Sequence, residues 1–282
     1  MSKMEKTRGC PNLIIIGNTA YDTKEYVIDN AVRERDVGGA CLYSAIPASI
    51  FFNVGIVTKI GNDFDINLLK AFNLNISGLQ SINTKTTHFY TKFFSKDGQD
   101  STTYGEVENK MIISFKDIPK NFLEAKFIHF TTSDPKYLLE MIKQVKQNSN
   151  AILSVDTNNW FSRMKKTKEI FDIVDIAFID KEFKELLNCK AKTKIIKLGE
   201  EGCIYKAKNK EFYQPAVVKK NVVDKLGAGD CLNGVFMNLI ANGFSEEYAL
   251  KKAVEVATLS IDDYGILKLK DKMVKKEGVF ER

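Results

Sequence analysis

Short apolar runs recur along the chain, separated by segments whose apolar residues fall at helical spacing. Leu13-Ile14-Ile15-Ile16, closed by Gly17, has the length and continuity of a buried strand. Val54 to Ile60, Lys126 to Thr131, Ala151 to Val155, Val174 to Ile179 and Thr193 to Leu198 repeat that signature, and Val222-Val223 predicts the end of one more strand. Tyr137, Leu138, Met141, Ile142 and Val145 share one helix face, and Glu182 to Leu187 predicts a short helix. Near the C-terminus Leu232, Val235, Phe236, Leu239 and Ile240 recur at helical spacing up to the stop signal Asn242-Gly243. Ala249 to Ile261 predicts a further helix, with small residues at Ala253, Ala257 and Ser260. Strands alternating with helices predict an α/β fold with a mostly parallel sheet flanked by helices on both faces.

Two stretches break the alternation. Thr23 to Asp36 is polar with interspersed apolar residues. Thr84 to Val107 holds two β-rich runs around Asp97-Gly98, a hairpin signal. These strands form either an edge hairpin of the main sheet or a small β lid. There are no internal repeats, low-complexity tracts or long linkers, so residues 1–282 read as a single domain.

Composition narrows the function classes. The chain is 44% hydrophobic and 28% charged, ordinary for a water-soluble globular protein. Its net charge of +6 comes from scattered lysines, which reads as a solvated surface rather than a nucleic-acid track, though a mild positive field helps an anionic nucleotide approach. Five cysteines without metal-ligand spacing point to free thiols in a reducing compartment. No apolar run has the length of a membrane span, and Met1 to Asn12 lacks a signal-peptide core, so a cytoplasmic location is expected. His88 and His129 stand isolated in strands, which argues against a histidine metal site.

The chemistry concentrates in Val222-Val223-Asp224-Lys225-Leu226-Gly227-Ala228-Gly229-Asp230. A glycine turn opening a helix exposes backbone N–H groups to an anion, and the helix dipole favours negative charge there. Asp230 stands beside that anion site, where a base would take a hydroxyl proton. The pair suits phosphoryl transfer to an alcohol. Gly38-Gly39 opens a second helix, in which Pro47 predicts a kink. Asp22 follows the first strand, as a turn residue or as an acceptor for substrate hydroxyls. No Gly-x-x-x-x-Gly-Lys-Ser/Thr occurs, which excludes a Walker-type nucleotidase.

Gly-Ala-Gly-Asp at 227–230, about fifty residues from the C-terminus, resembles the signature of the ribokinase-like (PfkB) carbohydrate kinases. The order of the other segments is similar to that family from Leu13 to about Gly265. The resemblance implies a three-layer fold, with lid strands inserted at about 23–36 and 84–107. It implies ATP and Mg²⁺ and phosphorylation of a hydroxyl on a sugar, cyclitol or similar polyol. A nucleoside kinase or a non-catalytic binding protein on the same scaffold are the alternatives.

On this resemblance Asp230 acts as base and the backbone N–H groups of Ala228, Gly229 and Asp230, after Gly227, form the anion hole. Asp22, Gly38, Gly39 and Tyr43 hold the acceptor. Lys197, Gly199, Gly202, Asp224, Ala257 and Asn158 border the nucleotide, and Glu182 helps organise the metal. The chain departs from the pattern at Ala20, Tyr43, Ile179 and Lys225-Leu226. The last of these leaves use of a monovalent cation open. No nucleic acid or membrane partner is implied, and a lid with an exposed face suits a homodimer.

Overall fold

The computed structural model describes residues 9–95, 101–105, 107–156, 166–218 and 222–277. Asp97-Gly98 and Asn158 lie outside them. The first apolar run is strand β1 (Leu13–Ile16), and its period of two is visible in the packing. Leu13 and Ile15 join one hydrophobic cluster, Ile14 and Ile16 another, so the strand is buried on both faces.

Eight further strands join β1 in one sheet, and the sequence predicts most of them. They are β4 (Val54–Gly61), β5 (Leu74–Ile82), β8 (Phe127–Phe130), β9 (Ile152–Asp156), β10 (Ile176–Asp180), β11 (Thr193–Lys197), β12 (Gly202–Ala207) and β13 (Lys210–Pro215). The order is β13-β12-β11-β10-β9-β8-β1-β4-β5. All neighbours are parallel except the β11–β12 and β12–β13 pairs. Helices α1 (Ala40–Ala48), α4 (Ala228–Ala241) and α5 (Glu246–Ser260) pack on one face, α2 (Pro135–Asn148) and α3 (Thr167–Ile173) on the other. The three layers match the predicted class. Helix α2 begins where Asp134 accepts from Lys136 N–H (2.8 Å) and Pro135 takes the first helical position.

The interrupting stretches form a second, four-stranded sheet with order β3-β2-β6-β7. It contains β2 (Ala20–Tyr26), β3 (Ala31–Gly38), β6 (Thr87–Phe93) and β7 (Ser101–Tyr104), so it is not an edge of the main sheet. One face of β2 carries Asp22, Lys24 and Tyr26 inward. Arg33 stacks over Tyr264 at 4.5 Å, and Tyr26 meets the same ring edge-on at 5.3 Å. These contacts seat the sheet on the loop that follows α5.

Two sequence expectations are corrected and a third is shifted. Val222 and Val223 are not a strand; Val223 N–H donates to Ile261 O (2.9 Å), so the segment is tied to the end of α5 instead. The short helix expected over Glu182 to Leu187 is present but starts two residues later and is of the 3-10 type, over Lys184–Asn188. Pro47 sits one residue before the end of α1, where it helps stop the helix rather than kink its middle.

Candidate active site

The parallel strands β8 to β11 end on the same edge of the sheet, and α4 begins there. Gly227 caps α4 with φ +78°, a conformation that strains any residue with a Cβ. A Cβ at Gly227 would also lie 2.3 Å from the Tyr43 ring. Cys231 N–H makes the first α-helical bond of α4, to Gly227 O (2.8 Å), so the N–H groups of Gly229 and Asp230 have no intrahelical acceptor. Ala228 N–H is different: it donates to Lys225 O (3.2 Å) within the turn. The predicted three-donor anion hole therefore reduces to Gly229 and Asp230.

Positive charge is supplied from β11. Lys197 Nζ lies 2.6 Å from Asp156 Oδ1 and 3.2 Å from Asp180 Oδ1, and a Cβ on Gly229 would stand 3.3 Å from the same Nζ. The ammonium is thus fixed against the N-terminus of α4 by the last residues of β9 and β10. Burial alone would lower its pKa, but the two carboxylates outweigh it and hold Lys197 charged. Asp156 moves up to about 6, from burial partly offset by Lys197.

Asp230 sits in the first turn of α4, partly open to solvent. Burial of its carboxyl and the nearby Asp156 charge raise its proton affinity well above the ordinary carboxylate range, against the pull of Lys197. Such a carboxylate is a stronger base than a free one.

The other wall of the site comes from β2, β3 and α1. Tyr43 Oη donates to Asp22 Oδ2 at 2.7 Å, and both side chains are buried. A Cβ at Gly38 would lie 1.9 Å from that oxygen, so the pair exists because residue 38 has no side chain. Gly39, with φ +83°, then turns the chain into α1. Asp22 is close enough to raise the proton affinity of Asp230. Its own pKa is pushed up to about 6 by burial, with Tyr43 and Lys24 opposing.

The remaining predicted residues divide. Asp224 faces the second sheet: its Oδ2 lies 2.5 Å from Lys24 Nζ, and its Oδ1 accepts from Leu226 N–H (3.0 Å). Both oxygens are engaged, which makes Asp224 a tie between elements and not a nucleotide contact. Gly202 is explained by packing, since a Cβ there would lie 2.2 Å from Gln214 O in the β12–β13 hairpin. Gly199 leads the turn after β11 with open space beside it. Ala257 is partly exposed on α5, whereas Ala253 is fully buried. Glu182 is exposed in the turn after β10. Among the described residues no group of three or more His, Cys, Asp or Glu is arranged to hold a metal ion. Asp156 and Asp180, at the ends of β9 and β10, are held by Lys197, so this donor set fits a magnesium ion carried on phosphates, which they would meet only as outer partners.

Three features lie outside the predicted set. Lys24 is fully buried, with its ammonium between Asp224 and Asp36. Its alternation with Asp22 along β2 is a readable signal that both face the same way. Asp180 ends β10, one residue after Ile179, and joins the site through Lys197. Asn233, one turn beyond Asp230 on α4, is fully buried.

Most of the chain is similar to known kinases. A cytidine kinase of Thermococcus kodakarensis is 27% identical over 277 residues, covering 90% of this chain and 97% of the relative. The structure of a Methanocaldococcus jannaschii nucleoside kinase superposes with a TM-score of 0.76 at 22% identity, over 95% of this chain and 98% of that one. An Arabidopsis thaliana ribokinase, solved with ribose and ATP, gives 0.72 at 17% identity over 95% and 98%. The family model for pfkB family carbohydrate kinases matches residues 12–271. With the glycine turn, Asp230 and the two-sheet architecture in place, the chain belongs to the pfkB family of carbohydrate kinases.

Proposed function

We propose that the protein transfers the γ-phosphoryl group of ATP to a hydroxyl of a nucleoside. Phosphoryl transfer is catalysed mainly by positioning and by charge placed where charge develops. Asp22 holds one ring hydroxyl of the acceptor and so orients the reacting hydroxyl toward Asp230. Asp230 directs or removes its proton as the phosphoryl group moves. The Gly229 and Asp230 N–H groups and the Lys197 ammonium face the phosphoryl oxygens. Magnesium carried on the nucleotide would supply neutralisation of phosphate charge, with Asp156 and Asp180 as its outer partners.

The substrate class rests on one observation. Asp22 on β2 is in register with Phe89 on β6, so both side chains leave the same face of the second sheet. Phe89 is half-buried, which leaves an aromatic surface beside the hydroxyl-binding carboxylate. A nucleobase lays a planar π face on that ring, where a sugar or cyclitol offers only C–H groups. The similarity to the cytidine kinase supports the same class.

A stacked base contributes about 1–3 kcal/mol, so nucleosides should exceed sugars and cyclitols by roughly five- to 150-fold in kcat/KM. ADP release from MgATP across a panel of ribonucleosides, sugars and cyclitols tests this. A sugar or cyclitol turned over faster than every nucleoside would contradict the substrate class.

A further inference from the structure

Asp22 does not present both of its oxygens to the cleft. Oδ2 accepts the Tyr43 hydroxyl at 2.7 Å and lies so near Gly38 that a methyl group there would stand 1.9 Å away. Tyr43 is itself wedged: its hydroxyl meets Asp22, and its ring packs against the Gly227 turn so closely that a Cβ on Gly227 would fall 2.3 Å from it. The phenol therefore cannot swing aside without disturbing the entrance to α4. On the other flank the Lys24 ammonium is held by Asp224 and Asp36. Among the described residues, the Tyr43 bond is the hydrogen bond that the Asp22 side chain makes. One carboxylate oxygen, Oδ1, is left for a ligand.

A carboxylate with two open oxygens grips a vicinal diol, one hydroxyl on each. With Oδ2 closed off by Tyr43 and Gly38, that grip is reduced to a single hydroxyl. We propose that Tyr43 is a specificity-determining residue that makes Asp22 a one-hydroxyl site, so that the enzyme accepts nucleosides lacking one of the two ribose ring hydroxyls. The inference rests on the nucleoside reading above and extends it from ribonucleosides to a deoxynucleoside class.

The two kinds of site differ widely in how they treat a missing hydroxyl. A site built to hydrogen-bond a substrate hydroxyl rejects the analogue lacking it by up to about 10⁴–10⁵-fold, because its buried polar group is left unpaired. A hydroxyl that no buried group awaits costs far less when removed. The test measures kcat/KM for one nucleoside in its ribo, 2′-deoxy and 3′-deoxy forms, with the native enzyme and with Tyr43→Phe. The substitution keeps the ring against Gly227 and removes only the hydroxyl that caps Oδ2.

For the native enzyme one deoxy form should fall within about tenfold of the ribonucleoside, and the other should lose at least about 100-fold. In Tyr43→Phe the tolerated form should lose at least about a further tenfold relative to the ribonucleoside, because Oδ2 then awaits a hydroxyl. Large losses for both deoxy forms in the native enzyme would overturn the proposal, since Asp22 would be gripping the diol with both oxygens. Small losses for both would overturn it as well, since Asp22 would then not be a hydroxyl site. An unchanged ribo-to-deoxy ratio in Tyr43→Phe would remove Tyr43 as the cause. No turnover of any nucleoside, with a sugar or cyclitol turned over instead, would overturn the nucleoside reading itself and the proposal with it.

Discussion

Asp22 shows how one buried residue sets a pH response. Burial raises its pKa to about 6, with Tyr43 and Lys24 pulling the other way. Above that value it is ionised and, in the proposed role, accepts a ring hydroxyl of the acceptor; below it the carboxyl is protonated and that capacity falls. Acceptor affinity should therefore weaken as pH drops through about 6, approaching tenfold per pH unit. Calorimetric titration of the acceptor at several pH values measures this, and a constant affinity across that range would contradict it. The sign for stability is opposite. A carboxyl whose folded pKa exceeds its unfolded value, about 3.9, favours the folded state at low pH and loses that contribution as pH rises through about 6. Function here holds a charge where folding would not place it. The sequence offers Asp22 by its position after β1, and Tyr43 through the family resemblance, as an acceptor contact that departs from the usual residue. That the two are bonded follows from Gly38, whose missing side chain makes room for Oδ2.

At the scale of elements, the second sheet is fastened to the start of α4 by a charge pair. Lys24 on β2 is fully buried, 2.5 Å from Asp224 in the turn before Gly227. Removing one member of such a pair leaves the other buried without its counter-charge, a loss of about 3–5 kcal/mol. Lys24→Met should therefore destabilise by about that amount in urea unfolding, and Lys24→Met with Asp224→Asn should recover most of it. The asparagine keeps an oxygen for Leu226 N–H. A loss below about 1 kcal/mol in the single variant would show that the pair does not hold the sheet to the turn. No local pattern announces this contact: the partners are 200 residues apart in the chain. Apolar runs and helical periods reveal elements because those signals are local, spanning about 11–18 residues. The β12–β13 hairpin and β5, with mixed polar and apolar positions at the ends of the main sheet, carry a weaker period and are missed by it.

For the whole molecule, the alternation of strands and helices suffices to predict a mostly parallel sheet between two helical layers, since that arrangement buries continuous apolar strands on both faces. The second sheet is legible as a break in the alternation, and its independence from the main sheet follows from the family resemblance. The catalytic end of the sheet is legible only in part. Lys197, Asp156 and Asp180 end three successive strands of the parallel array, but their closure into one cluster depends on strand order, which the sequence does not state. That cluster places a fixed ammonium beside Gly229, while burial and the Asp156 charge raise the proton affinity of Asp230 against the pull of Lys197. In the proposed mechanism Asp230 is the residue on which phosphoryl transfer depends most directly. The decisive measurement is single-turnover phosphoryl transfer from MgATP to the acceptor by native enzyme and Asp230→Asn, with nucleotide and acceptor binding titrated on both. Transfer should slow by about 10²–10⁴-fold while both ligands still bind. An Asp230→Asn enzyme that transfers at the native rate would contradict the role of Asp230 as the base.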